Sequence, residues 1–166
     1  MRGAFVFAFG GGPSTASQTW EFNGTSWALM TPTDPEGDGN PTGQSFGAMA
    51  WWPGKNVVAY FANDGALWEW NGVSWKKDVP TDPESDGNPV ASVGGSLVFD
   101  VEQNGLIKFG GNSSDSNEVW FFNGTSWAKR SNPDPENDGN PGLLYGHASV
   151  YESFRKVTLV IGGQGV

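Results

Sequence analysis

Oxygen-bearing side chains stand at alternate positions three times in this chain. Asp34, Glu36, Asp38 and Asn40 recur as Asp82, Glu84, Asp86 and Asn88, and again as Asp134, Glu136, Asp138 and Asn140. Each set belongs to one segment, DPEGDGNP, DPESDGNP or DPENDGNP, in which only the fourth letter changes. Side-chain oxygens at positions 1, 3 and 5 with glycine at 6 are the first half of a Ca²⁺ loop, and the glycine permits the bend that turns carboxylates inward. Hard oxygen donors at this density suit Ca²⁺ over Zn²⁺ or Cu²⁺. The ligand set is short: position 12, where such loops place a bidentate glutamate, falls on Ser45, Val93 and Tyr145. A second reading is structural. Proline and Asp-Gly-Asn are turn chemistry, and a stiff, solvated connector is something a repeated fold needs once per unit. Both readings stand as expectations.

The net charge of −9 comes from these segments. They hold nine carboxylates, and the other nine Asp and Glu balance the nine Lys and Arg. No basic surface remains to replace the counterions of a nucleic acid or an anionic membrane, so neither is an expected partner. The absence of cysteine excludes disulfides, thiolate catalysis and cysteine metal sites, and leaves the compartment open. No apolar run approaches the roughly 18 residues of a membrane helix. The N-terminal stretch MRGAFVFAFGGG imitates a signal peptide, but VFAFGGG matches LIKFGG (106–111) and TLVIGG (158–163) and reads as a strand of the same array. His147 is the only histidine. No Ser/His/Asp or Cys/His set can be assembled around it, so the chain is not expected to be an enzyme.

The elements that position these loops are strands. Glycine and tryptophan are abundant and good helix formers scarce, which predicts an all-β chain with many tight turns. Trp20, Trp68 and Trp120 recur at intervals of 48 and 52 residues, as do Trp27, Trp75 and Trp127 and the Asn-Gly pairs starting at Asn23, Asn71 and Asn123. This predicts one domain of repeats, about 1–41, 42–89 and 90–141, followed by terminal strands in 142–166. TWEFNGTSW, LWEWNGVSW and VWFFNGTSW each read as a hairpin with a type I′ Asn-Gly turn. One further extended stretch precedes the first hairpin, and two precede each of the others. The chain therefore offers three strands, then two complete sets of four, then two more.

Sets of four antiparallel strands at this period mean propeller blades. The residues also resemble the kelch-repeat family, in its bacterial kelch-like form. The likeness lies in the double glycine (Gly110-Gly111, Gly162-Gly163), the two tryptophans seven apart, and YGHASVYESFRKVTLVIGG near the C-terminus. The resemblance implies a kelch-like β-propeller. Three four-stranded units are too few to close one, so either the chain is a fragment or a homodimer completes a ring of six blades. The family implies a non-catalytic binding or assembly module presenting loops to a protein or a glycan. The alternative is a carbohydrate-binding lectin or carbohydrate-acting enzyme using the central funnel. Trp51, Trp52 and Trp70 do not recur as tryptophans, which makes them candidates for ligand stacking.

Overall fold

A computed structural model describes residues 6–10, 17–42, 45–113 and 117–165. Gly11 and Gly12, and residues 114–116 within the loop where the third unit lengthens, lie outside them.

Aromatic and β-branched runs become strands, because such side chains pack on a pleated surface. Four antiparallel sheets result, each a simple meander, and no helix occurs among the described residues. The first sheet is β1 (Val6–Phe9), β2 (Thr19–Phe22) and β3 (Trp27–Met30). The second is β4 (Ala48–Trp52), β5 (Val57–Phe61), β6 (Leu67–Trp70) and β7 (Trp75–Lys77). The third is β8 (Ser96–Asp100), β9 (Gly105–Phe109), β10 (Val119–Phe122) and β11 (Trp127–Arg130). The last is the hairpin β12 (Leu144–Glu152) and β13 (Val157–Gly165). The all-β expectation is met.

Register makes the sheets superimposable. Phe22, Trp70 and Phe122 stand opposite Trp27, Trp75 and Trp127, and Trp20, Trp68 and Trp120 opposite Leu29, Lys77 and Lys129. The Asn-Gly hairpins differ from the expected type I′ turn. Of the pair, only the glycines (Gly24, Gly72 and Gly124) take positive φ. The asparagine acts through its side chain: Asn71 Oδ1 accepts from Val73 N at 2.8 Å and Ser74 N at 2.9 Å, closing a four-residue loop. Asn23 and Asn123 do the same. This is side-chain turn mimicry, the other use that hairpins make of asparagine.

Each sheet packs on the next through its aromatic face. Between the first and second, Phe9 meets Tyr60 at 5.0 Å and Trp75 at 5.2 Å, edge to face, and Trp75 Nε1 donates to Thr19 Oγ1 at 3.0 Å. Between the second and third, Phe61 meets Trp127 at 5.9 Å, and Trp52 meets Phe99 and Phe122. The main chain links the starts of the equivalent strands β4, β8 and β12. Gly94 N donates to Phe46 O at 3.0 Å and Gly146 N to Gly94 O at 2.7 Å. Phe46, Gly94 and Gly146 all have positive φ, and a Cβ on Gly94 would lie 3.1 Å from Gly146 N.

Candidate functional site

The acidic segments join these sheets. In each, the first aspartate folds its own loop. Asp34 accepts Asp38 N and Gly39 N, each at 3.1 Å, one on each carboxylate oxygen. Asp82 holds Asp86 N and Gly87 N in the same way, and Asp134 holds Asp138 N and Gly139 N. The variable fourth letter sits where the chain turns left-handed. Gly37, Ser85 and Asn137 have φ of 72°, 57° and 56°. Glycine and asparagine are the residues that tolerate this region best.

The third acid of the segment reaches the next sheet. Asp38 Oδ2 accepts from Lys77 N of β7 at 2.8 Å, and Asp86 Oδ2 from Lys129 N of β11 at 2.9 Å. The residue before each segment adds a main-chain bond, Thr33 N to Val73 O at 3.0 Å and Thr81 N to Thr125 O at 2.9 Å. Pro41 and Pro89 close these two segments and are buried. The loop that leaves one outer strand is thus fastened to the outer strand of the following sheet. Charged acceptors make such bonds stronger than neutral ones.

This geometry bears on the Ca²⁺ reading. Asp34, Asp82 and Asp134 turn both oxygens onto amides of their own loop, while Asp38 and Asp86 point away to the neighbouring sheet. Glu36, Glu84, Asn40 and Asn88 lie exposed at the surface, as do Glu136, Asp138 and Asn140 in the third segment. Among the described residues no group of three or more His, Cys, Asp or Glu gathers as a metal would require. Asn140 Nδ2 donates to Asn132 O at 3.0 Å.

The three singled-out tryptophans divide. Trp52 and Trp70 are core side chains, 2% and 3% exposed. Lys55 Nζ lies over the Trp52 ring, and Trp70 Nε1 donates to Glu21 Oε1 of the first sheet at 2.9 Å. Trp51 is half exposed. Register shows what matching letters hides. Trp70 is the counterpart of Phe22 and Phe122, and Trp51 of Phe99 and Tyr151, so both positions are aromatic in every described copy.

Two polar clusters lie between elements. Ser96 Oγ is 2.9 Å from His147 Nε2 and 2.8 Å from Ser149 Oγ, tying β8 to β12. Burial holds the His147 pKa below its ordinary value, so the ring is neutral near pH 7. No acid among the described residues hydrogen-bonds His147 to complete a triad. The second cluster is Lys55, paired with Glu69 at 2.5 Å, together with Asp78. Burial, then the neighbouring Glu69 carboxylate, pushes Asp78 up to about 7.

The open ends carry the clearest contrast in the molecule. Trp75 and Trp127 are 0% and 1% exposed beneath the preceding sheet, whereas their counterpart Trp27 is 50% exposed. Leu29 of β3, Trp51 of β4 and Phe46, two residues before β4, are exposed as well. Compared with family models and with curated proteins, the chain matches none.

Proposed function

We propose that this chain is a non-catalytic binding and assembly module, a kelch-like β-propeller unit of which two copies close one ring of six blades. The exposure of Trp27 carries the reading. Its two counterparts are sealed by a neighbouring sheet, and an indole-bearing sheet face of this kind seeks the same cover. In the ring, β12 and β13 of one copy complete the sheet whose outer strands, β2 and β3, come from the other, leaving β1 surplus. Trp51 supports this arrangement. Its counterpart Phe99 packs at 5.9 Å on Trp52 of the preceding sheet's inner strand, and the first sheet has no such strand among the described residues. The second copy's β12 supplies it. The closed ring presents its connecting loops to a protein or glycan ligand.

Fluorescence quenching tests the reading. In the dimer Trp27 and Trp51 are shielded, so acrylamide quenching is low at micromolar concentration and rises on dilution as the copies part. Strong quenching that never changes with concentration, in a folded protein whose Trp27→Phe variant loses it, contradicts the proposal.

A further inference from the structure

The 134–141 segment repeats the loop of its two predecessors but meets no outer strand among the described residues. Asp134 accepts Asp138 N at 3.2 Å and Gly139 N at 3.0 Å, so the loop is folded as in the other two copies. Asp38 and Asp86 each receive an amide of the following outer strand. No described donor meets the Asp138 carboxylate, and Pro141 is exposed where Pro41 and Pro89 are buried. The complementary edge exists elsewhere in the chain. Lys77 and Lys129 stand opposite Trp68 and Trp120, a register that turns their N–H outward to the aspartate. Leu29 stands opposite Trp20 in the same register, and no described residue accepts its N–H.

We infer that the 134–141 segment is a latch between copies, with the Asp138 carboxylate accepting the Leu29 N–H of a second chain. The inference rests on the two-copy ring proposed above and names the contact that holds it. The strand that carries Leu29 and the 134–141 loop are already folded in one copy, while the surplus β1 gives up its pairing with β2 as the other copy's β13 docks. The symmetry of a two-fold pair uses the latch twice.

The latch between copies lacks one bond that the two internal ones have. Thr33 and Thr81 donate their N–H to Val73 O and Thr125 O. The equivalent donor position is Pro133, which has no N–H. The junction between copies is therefore weaker than the junctions within a copy. The two such junctions are the seams at which the ring can open without breaking a junction inside a copy.

Sedimentation equilibrium on the intact chain and two variants tests this. Asp138→Ala, lying at the surface, leaves the circular-dichroism spectrum of the chain intact and weakens dimerisation about a hundredfold or more, the loss expected for two hydrogen bonds to a charged acceptor. Pro133→Thr restores the missing donor and tightens dimerisation about fivefold. A wild-type dimer whose affinity neither variant changes overturns the latch and leaves the ring reading standing. A wild-type chain that remains single overturns the ring itself, and the latch with it.

Discussion

At the scale of single residues, the acidic repeat is explained by amide groups. One aspartate per segment folds the loop and another reaches the neighbouring sheet, so two of the three carboxylates have main-chain donors in both internal copies. Asp82→Ala removes two of these bonds and frees the loop that carries Asp86. The expected loss is about 1–2 kcal/mol, read as a fall of about 2–8 °C in the melting midpoint. Millimolar Ca²⁺ against chelator is expected to leave the wild-type midpoint unchanged, since among the described residues no group of three or more His, Cys, Asp or Glu gathers. Asp78 gives a pH signature. Its folded pKa, about 7, lies above the ordinary carboxyl value of 3.8. The folded state therefore holds a proton that the unfolded state has lost, and the stability from this group, full below about pH 4, declines as pH rises to about 7. Asp78→Asn removes the penalty. The variant melts higher than wild type at pH 8, by about 1 kcal/mol after discounting for solvent screening, and the difference disappears near pH 4.

At the scale of elements, the aromatic faces do the holding. Trp75 lies 5.2 Å from Phe9 and 6.0 Å from Tyr60 and donates to Thr19, so Trp75→Ala opens a cavity between two sheets and costs about 3–5 kcal/mol. Trp27→Ala, at the equivalent place on the first sheet, removes one ring contact among the described residues, that with Phe22. Denaturant titration separates the two. Trp75→Ala lowers the midpoint at every protein concentration, and Trp27→Ala lowers it only where wild type is held as a dimer. The strands and their order were legible in the sequence, because each unit spells an aromatic run, Asn-Gly and a second aromatic run. The turn type was not, since Asn-Gly serves two hairpin geometries and Asn71 uses its side chain where its backbone was expected. Trp70 looked unique by letter and is one of three aromatic wedges by register. The fastening role of Asp38 and Asp86 was hidden for a different reason: their partners are backbone N–H groups, which every residue but proline carries.

At the scale of the whole molecule, the proposed ring repeats between copies what the sheets within the chain do. Two internal junctions share one plan: an indole under the preceding sheet, a carboxylate on the outer strand, a main-chain bond beside it. In the proposed ring, Trp27 and Leu29 of one copy and Asp138 of the other form the matching halves of a third junction. That three units of four strands are too few for a closed ring was an expectation from the sequence. The residues proposed to meet across the gap are read from the register. The mass of the particle in solution tests the account most directly. Sedimentation equilibrium of the unmodified chain at tens of micromolar is expected to give twice the chain mass. A folded particle of one chain mass across that range would contradict it.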